Sequence, residues 1–426
     1  MFAQSSDPQF AFYFQELLAL ANGAAGSNTG EVLRAASQIV PGDFESFYSE
    51  FKFLADAIHE QGVQAEAKGY NISASSAYFR SASYYRAADF FIHGNVSDPR
   101  LYTLWDKQMA DFDKATAQLP APAERVTVQA SNFTIPVIFY PAHPHTRRRS
   151  GSKKSCSPER RIPTLLVGSG YDGAQEALYH SICYAVLARG WNCATYEGPG
   201  QPTVRRQQGL GFRPDWWSVV TPVVDYLHTR PDVDTRRVAL GGWSFGGTLA
   251  PLAASRERRL AAVLAVDGLW DLLDAQLPGM PGFMRAAFES GNGTAFDAVA
   301  WAVYRSPEAP SLFRWAMDQG LWAFKTDSPY DWLRQLGMYN LEGGVLDAVE
   351  APLFVASGQH DTMAPGQAEI VAKHLKPEKG DAYVLFKTEL GAGEHCQLGA
   401  EGQLALQALD WLAGVFDRVG SATKGM

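Results

Sequence analysis

The stretch RVALGGWSFGGTLAPLAAS, residues Arg237–Ser255, sets one serine between two glycines at the spacing G-x-S-x-G. A β-like run precedes the turn and a helix-like run follows it. A serine on a sharp strand-to-helix turn needs small neighbours because the chain packs closely there, and Gly242, Gly246 and Gly247 supply them. The pattern predicts a nucleophile elbow with Ser244 at its tip. The alternative interpretation is a glycine-rich turn with an incidental serine.

The same alternation of β-like and helix-like runs extends on both sides of this turn. PTLLVGSG and WNCATYEGPG come before it with helical runs between them, and RLAAVLAVDG comes after it. APLFVASGQHD and DAYVLFKTEL continue the pattern near the end of the chain, where LALQALDWLAGVFDRV closes it as a helix. Strands that alternate with helices predict parallel βαβ units, hence an α/β fold with helices on both faces of the sheet.

The chain divides into four predicted segments. Residues 1–120 repeat apolar residues every three or four positions, which predicts a helical domain that ends where LPAPAE breaks the pattern. Residues 121–268 and 350–426 carry the strand signals and form the two parts of the sheet domain. Residues 269–349, rich in Trp, Phe and Met, are predicted to be a helical cap inserted into that domain. The basic segment near 146–161 is predicted to be an exposed loop.

Composition limits the partners of the protein. The chain has 426 residues, of which 46% are hydrophobic, and a formal net charge of −8. A net acidic protein offers no general attraction to nucleic acid or to anionic membranes, so we expect neither as a partner. A neutral or weakly acidic small molecule fits this charge better, and a homodimer stays an open alternative. The N-terminus lacks the basic region of a signal peptide and no apolar run could span a bilayer, which predicts a cytoplasmic protein.

Neither the positions of the cysteines nor any known binding motif in the sequence indicates a cofactor. Cys156, Cys183, Cys193 and Cys396 are too few and too scattered for a disulfide framework or a metal cluster, so we expect free thiols in a reducing compartment. The sequence contains no G-x-G-x-x-G, P-loop, H-E-x-x-H or C-x-x-C pattern. We therefore expect neither nucleotide nor metal chemistry.

A serine nucleophile requires a base, and the base requires an acid that orients it. His395, in GAGEHCQLG, follows the last strand-like segment, whereas His360 on a loop and His374 on a helix are expected at the surface. Asp361 and Asp267 both follow strand-like runs, and the sites of α/β proteins gather at such strand ends. Asp361 is favoured because it comes after a glycine turn in the penultimate strand loop. Asp267 is the alternative acid, or a cap of the first helix of the insertion.

Acyl transfer also needs N–H donors for the developing oxyanion. The backbone N–H of Phe245, directly after the serine, is one candidate, and Tyr171 or Gly170 in GSGYDGAQE is the other. The same loop has a second interpretation as a plain tight turn. The segment Glu197–Gln201 is expected to shape the pocket wall rather than to react.

Aromatic residues of the insertion are candidates for contact with substrate. Together with the N-terminal helices they are expected to cover the pocket, because they carry more aromatic surface than isolated helices could bury. Most aromatic residues belong to the core, so one or two of the following are expected to touch substrate: Trp270, Phe283, Trp301, Trp315 and Trp322.

The motifs GSGYDGAQE, YEGPGQ, GWSFGG, ASGQHD and GEHC, in this order behind SYYRAADFF, carry a resemblance to a known family. The chain resembles the fungal α/β-hydrolases that shorten polyketides, which are similar in turn to the bacterial 2,6-dihydroxypseudooxynicotine hydrolase, a C–C bond hydrolase. The resemblance implies an α/β-hydrolase fold whose N-terminal helices cover the active site. It also implies Ser244 as nucleophile, Asp361 as acid and His395 as base.

The resemblance does not fix the reaction. Relatives in this branch cleave C–C bonds, hydrolyse esters, or assist condensation and cyclisation. We expect a serine hydrolase that cleaves an aromatic polyketide of the 1,3-dicarbonyl type by retro-Claisen chemistry. The alternatives are an esterase, a non-hydrolytic acyltransferase or cyclase that uses the same triad, and a binding protein with a vestigial triad.

Overall fold

The computed structural model describes residues 4–21, 25–143 and 161–421. Cys156 and nearly all of the predicted basic loop 146–161 lie outside this range. The chain forms two compact units. The helical unit comprises Met1–Pro122 and Gly279–Gln335, and the sheet unit comprises Ala123–Pro278 and Leu336–Met426. Among the described helices, none has the combination of length and apolar character that crossing a membrane requires.

The secondary structure described in the helical unit consists of helices. Two of its N-terminal helices begin with an aspartate cap of the same kind: Asp7 before the first helix and Asp43 before the third each accept two backbone N–H groups of the first turn. The helices are α1 (Pro8–Ala19), α2 (Thr29–Gln38), α3 (Phe44–Ala67), α4 (Asn71–Asp89), α5 (Arg100–Thr116), α11 (Gly282–Glu289), α12 (Gly293–Tyr304), α13 (Ser311–Phe324) and α14 (Pro329–Leu336).

Phenylalanine side chains form the centre of the helical unit. Phe10 and Phe14 on α1 meet Phe47 and Phe51 on α3, and all four are fully buried. The ring centroids of Phe10 and Phe47 lie 4.9 Å apart, and those of Phe47 and Phe51 lie 4.8 Å apart. These separations are typical of packed aromatic cores, where burial of large rings supplies most of the stabilisation.

Helix α13 packs on the C-terminal end of α4 within the same unit. Trp315 stacks on Phe90 with ring centroids 5.4 Å apart, and Trp322 stacks on His93 with centroids 4.5 Å apart. The ring of His93 is also hydrogen-bonded through Nδ1 to Gln319 Oε1, at 2.5 Å. Trp315 and Trp322, two of the predicted substrate contacts, are therefore buried in stacks inside the helical unit.

The sheet unit is built on one sheet of eight strands among the described residues. The strand order is β1-β2-β4-β3-β5-β6-β7-β8; β2 pairs antiparallel with β1 and β4, and the other neighbours are parallel. This confirms the predicted α/β fold with a mostly parallel sheet. The strands are β1 (Glu124–Gln129), β2 (Thr134–Tyr140), β3 (Ile162–Gly168), β4 (Asn192–Tyr196), β5 (Val233–Trp243), β6 (Ala262–Val266), β7 (Leu353–Gly358) and β8 (Ala382–Phe386).

Helices connect the consecutive strands from β3 to β8. The central strand β3 is buried at every position, as expected of a parallel strand with helices on both faces. The chain passes from β3 to β4 on one side and then to β5 on the other, and such a reversal opens a crevice at the carboxyl ends of the strands. The helices are α6 (Tyr184–Ala188, continuing a π-helical turn at Tyr179–Cys183), α7 (Pro202–Gln208), α8 (Trp217–Thr229), α9 (Gly246–Ala254), α10 (Leu272–Gln276), α15 (Gln367–Ala372) and α16 (Glu401–Ser421).

The expectation that all cysteines are free thiols is wrong for two of them. Cys183, at the end of the π-helical turn, and Cys193, in β4, form a disulfide. The residues are ten positions apart in sequence, but the turn packs back on the sheet and brings their Cα atoms to 5.5 Å. Cys396 is a free cysteine.

Candidate active site

The turn after β5 has the geometry that the G-x-S-x-G pattern predicts. Ser244 has a φ of +60°, in the left-handed region, and α9 begins at Gly246. The backbone N–H of Ser244 donates to the carbonyl of Val266 at the end of β6, at 2.9 Å. A non-glycine residue in this conformation carries about 1–3 kcal/mol of strain, which the surrounding packing must hold in place.

Close backbone contacts explain the glycines of this turn. A β-carbon on Gly242 would lie only 1.8 Å from the carbonyl oxygen of Gly246. A β-carbon on Gly246 would lie 2.5 Å from the carbonyl oxygen of Ser169, in the loop after β3. A larger side chain at either position would clash with these backbone oxygens, so this sharp turn requires glycine at both positions.

Three predicted site residues are joined by hydrogen bonds. Ser244 Oγ lies 2.8 Å from His395 Nε2, and His395 Nδ1 lies 2.8 Å from Asp361 Oδ2. His395 is in a short turn between β8 and α16, and Asp361 is in the loop after β7. The second oxygen of Asp361, Oδ1, accepts the backbone N–H groups of Met363 at 2.8 Å and Ala364 at 3.0 Å. These two bonds fix the carboxylate so that Oδ2 faces the imidazole.

The electrostatic surroundings match this chain of hydrogen bonds. Burial acts to raise the pKa of Asp361, but the adjacent His395 and the N–H groups of Ala364 and Met363 hold that pKa below its usual value. Burial acts to lower the pKa of His395, while Cys396 and the Asp361 carboxylate raise it, with the net result above the usual value. An ionised Asp361 therefore favours the proton on Nδ1 and leaves Nε2 of a neutral His395 able to accept the Ser244 proton.

Asp267, the alternative acid, has three other partners. Its Oδ1 accepts the backbone N–H of Gly358 at 2.7 Å. Its Oδ2 accepts the backbone N–H of Cys396 at 2.6 Å and the side-chain Nε2 of Gln397 at 2.7 Å. Burial raises the pKa of Asp267 to about 7, with His395 acting in the opposite direction. Asp267 thus ties the end of β7 to the turn that carries His395.

Asp267 does not cap the first helix of the insertion, which was the second role that the sequence allowed for it. The first helix of the insertion, α10, is capped by Asp271, whose side chain accepts the N–H of Asp274. A helix cap lies directly before the first turn of its helix, and that position belongs to Asp271.

The loop after β3 lies against the elbow. A β-carbon on Gly170 would come within 2.9 Å of Ser244 Cβ and 3.0 Å of the Phe245 backbone nitrogen. Only glycine allows this approach. Tyr171 follows in the same loop and is half-buried. The structure therefore brings all three predicted oxyanion donors, Phe245, Gly170 and Tyr171, into the loops that meet at Ser244.

The Phe245 backbone N–H is available for a ligand. In the part of the chain that the structure describes, residues 4–21, 25–143 and 161–421, this N–H has no hydrogen-bond acceptor. Its phenyl ring is buried against Phe212 and Tyr339, with centroids 5.3 and 5.0 Å away. A buried residue with an unused N–H beside a nucleophile is the arrangement that stabilises an oxyanion.

Sequence reasoning did not identify the polar residues behind this loop. Glu197 and Gln201, in the segment expected only to shape the pocket wall, are both fully buried. Glu197 accepts the backbone N–H groups of Gln175 at 2.9 Å and Thr203 at 2.6 Å, and burial together with Glu176 raises its pKa to about 7. Two polar side chains in the five residues EGPGQ were the available signal, but the partners Gln175 and Ser169 are distant in sequence.

One group of residues offers donor atoms of the kinds that bind metals. A carboxylate oxygen of Asp267, a ring nitrogen of His395 and the sulfur of Cys396 lie within 4.8 Å of one another. Both oxygens of Asp267 and both ring nitrogens of His395 already have hydrogen-bond partners. A metal ion here would have to displace these bonds.

The remaining sequence candidates differ in their surroundings. Trp270 stacks on His374 with centroids 4.4 Å apart, and His374 comes two residues after the end of α15 rather than on the helix. The His360 side chain is 63% exposed, in agreement with a surface role. In the helical unit, Phe283 is exposed and Trp301 packs on Tyr304.

Comparisons with known proteins agree with the fold. Residues 156–397, more than half of the chain, match the family model described as X-Pro dipeptidyl-peptidase (S15 family). The solved structure of 2,6-dihydroxy-pseudo-oxynicotine hydrolase matches 94% of this chain and 95% of its own, with a TM-score of 0.68 and 20% sequence identity. At that identity the match shows a common fold.

Fungal hydrolases are more similar in sequence. Hydrolase acrC of Aspergillus aculeatus is 32% identical over 367 residues, which cover 83% of each chain. The 20-hydroxy-prefusarin hydrolase FUS2 of Gibberella moniliformis is 30% identical over 335 residues, which cover 78% of this chain and 77% of FUS2. These matches confirm the resemblance to fungal hydrolases and to 2,6-dihydroxypseudooxynicotine hydrolase. The chain is therefore a hydrolase of the X-Pro dipeptidyl-peptidase (S15) family, with the α/β-hydrolase fold and with fungal hydrolases as its relatives.

Proposed function

We propose that this protein is a serine hydrolase that cleaves a C–C bond of an aromatic polyketide by retro-Claisen hydrolysis, with Ser244, His395 and Asp361 as its catalytic triad. The observation that carries the proposal is the unbroken hydrogen-bonded chain from Ser244 Oγ through His395 to Asp361, with both bonds at 2.8 Å. A base at that distance can accept the serine proton as the nucleophile attacks.

The first half of the reaction forms an acyl-enzyme. Ser244 Oγ attacks a ketone carbonyl carbon and its proton passes to His395 Nε2. The carbonyl electron pair becomes an oxyanion, which the N–H of Phe245 and an N–H of the Gly170–Tyr171 segment stabilise. Asp361 keeps the imidazolium oriented and balances its charge.

The leaving group decides whether a C–C bond can break. An isolated carbanion is too basic to leave, but in a 1,3-dicarbonyl or a C-acylated phenol the electron pair is delocalised as an enolate or phenolate. When the tetrahedral intermediate collapses, that pair moves to the leaving carbon and protonated His395 supplies its proton. Water, activated by His395, then attacks the acyl-serine and releases a carboxylic acid with one oxygen from the solvent.

The substrate class rests on the relatives. FUS2 is named as a hydrolase of 20-hydroxy-prefusarin, and a protein with the same fold is named as a hydrolase of 2,6-dihydroxy-pseudo-oxynicotine. The net charge of −8 also suits a largely neutral organic substrate better than an anionic one. These points support a weakly charged organic compound as the substrate.

A matched pair of substrates tests the bond that is cleaved. The C-acyl and O-acyl isomers of one polyphenol would be incubated with the enzyme in ¹⁸O-water, and the released acid analysed by mass spectrometry. We expect one ¹⁸O atom in the acid from the C-acyl isomer, and no release by the Ser244→Ala or His395→Ala variants. Turnover of the O-acyl isomer alone, with every 1,3-dicarbonyl inert, would favour an esterase.

Two other substrates separate the remaining alternatives. An X-Pro dipeptide p-nitroanilide tests the peptidase activity named in the family description. An added alcohol or amine acceptor tests acyl transfer, because a transferase would give the acylated acceptor at the expense of free acid. Undiminished turnover by folded Ser244→Ala protein would exclude the serine mechanism itself.

A further inference from the structure

Gln201 joins two loops that follow neighbouring parallel strands, β3 and β4. Its side chain is completely buried. Oε1 accepts the backbone N–H of Gly198 at 2.8 Å. Nε2 donates to the carbonyl oxygens of Ser169 at 2.9 Å and Gly170 at 3.2 Å. These partners determine the orientation of the amide, since an N–H must face oxygen and carbonyls must face the NH₂ group.

The two carbonyls that Gln201 binds belong to the peptide units of the candidate oxyanion donors. The Ser169 carbonyl shares a peptide plane with the Gly170 N–H, and the Gly170 carbonyl shares one with the Tyr171 N–H. In a trans peptide the C=O and N–H point in opposite directions within one rigid plane. A side chain that holds both carbonyls on one side therefore fixes the direction of both N–H groups on the other.

The space around this loop makes its position critical. A β-carbon on Gly170 would lie 2.9 Å from Ser244 Cβ, and one on Gly246 would lie 2.5 Å from the Ser169 oxygen. The loop therefore touches the elbow, so a rotation of either peptide plane would change the direction of its N–H relative to Ser244. An oxyanion donor acts only when it points at the place where the charge develops.

Hydrogen bonds also fix the backbone segment that carries Gln201. Gln201 directly precedes Pro202, the first residue of α7. The Glu197 carboxylate accepts the N–H of Thr203 in the first turn of that helix, at 2.6 Å, and the N–H of Gln175 at 2.9 Å. Its burial and these hydrogen bonds hold the Gln201 side chain in position.

We propose that Gln201 is a positioning residue that aligns the oxyanion hole by holding the Ser169 and Gly170 carbonyls. The proposal rests on the proposed function, because it requires Ser244 to be the nucleophile. Gln201 itself touches no substrate. Its loss should lower kcat, which depends on the developing oxyanion, and leave KM nearly unchanged.

The chain offers a matched control for this residue. Gln208, at the end of α7, also binds backbone on both sides of its amide: Nε2 donates to the Thr134 carbonyl at 2.8 Å and Oε1 accepts the Thr134 N–H at 3.0 Å. It ties α7 to β2 rather than to the loop at Ser244. Gln201→Met and Gln208→Met remove the same chemistry with a similar side-chain volume, but only the first acts on the oxyanion loop.

The experiment measures hydrolysis of p-nitrophenyl acetate by wild type, Gln201→Met and Gln208→Met, with sites titrated by a fluorophosphonate so that kcat refers to folded enzyme. We expect kcat to fall about 10- to 100-fold in Gln201→Met with KM within about twofold, and to stay within about twofold in Gln208→Met. Inhibition by a trifluoromethyl ketone, whose adduct carries an oxyanion, should weaken by a similar factor in Gln201→Met alone.

A second variant tests the same inference in case Gln201→Met does not fold. Gln201→Glu keeps the shape and the bond from Gly198, but its carboxylate repels both carbonyls, so the same loss of kcat is expected. Equal effects of the Gln201 and Gln208 variants on kcat and on inhibitor affinity would overturn the inference. If wild type is not labelled at Ser244, the proposed function fails as well; labelled wild type with an unaffected Gln201→Met contradicts only the role of Gln201.

Discussion

Replacing Asp361 with asparagine should move the ring proton of His395 from Nδ1 to Nε2. Asp361 Oδ1 accepts two backbone N–H groups, from Met363 at 2.8 Å and Ala364 at 3.0 Å. The asparagine oxygen will keep those bonds, because the alternative orientation would set an NH₂ group against two N–H donors. The NH₂ group then faces His395 Nδ1, which must accept, so the ring proton moves to Nε2. In that tautomer Nε2 cannot take the proton of Ser244.

The size of the effect follows from the amide orientation. Escaping the wrong tautomer requires the amide to flip and leave two partly buried N–H groups without acceptors, at about 1–3 kcal/mol each. A penalty of about 4 kcal/mol corresponds to roughly a 10³-fold loss of rate, since each tenfold is about 1.36 kcal/mol. We therefore expect kcat for p-nitrophenyl acetate and the rate of fluorophosphonate labelling to fall by about 10³, with an unchanged circular dichroism spectrum.

The pH profile gives an independent readout of the same change. The proposed mechanism requires neutral His395, whose pKa is raised above its usual value partly by the Asp361 carboxylate, so the wild-type rate should rise with pH through a pKa above the usual histidine value. In Asp361→Asn the limb should move to lower pH because the supporting charge is gone. Asp267→Asn serves as the comparison. A larger loss of kcat in Asp267→Asn than in Asp361→Asn would refute the assignment of the acid.

Three further changes test the elbow and the disulfide. Ser244→Ala should abolish fluorophosphonate labelling without lowering the melting temperature, and residual labelling at full stoichiometry would place the nucleophile elsewhere. Gly242→Ala should destabilise the protein by more than about 1 kcal/mol, because its β-carbon would lie 1.8 Å from a carbonyl oxygen, whereas Gly402→Ala in α16, with open space around it, should not destabilise it; equal melting temperatures would contradict the packing argument. In oxidised protein, peptide mapping should find Cys183 linked to Cys193, and Cys183→Ala should lower the unfolding free energy by about 2–3 kcal/mol for a loop of this length, a difference that reduction of the wild type should remove.

The sequence alone predicts those structural features that depend on residues close together in the chain. The glycines around Ser244 predict the elbow because a strained turn forms from adjacent residues, and the structure gives Ser244 the expected positive φ. The alternation of strand and helix signals likewise predicts the parallel sheet, since each βαβ unit is contiguous in sequence. Fold class and the turn that carries the candidate nucleophile were therefore readable from the residues alone.

Tertiary structure decided which side chains meet. Asp267 and Asp361 both follow strands, and the sequence favours Asp361 without excluding Asp267. In the structure the loop after β7 directs Asp361 at His395, while Asp267 is engaged by Gly358 and Cys396. The two carbonyl groups that Gln201 binds lie about thirty residues earlier, on a loop that is adjacent only because β3 and β4 pair. Pairing between strands and the packing of helices on them bring distant residues within hydrogen-bond range, and no local pattern of residues encodes those distances.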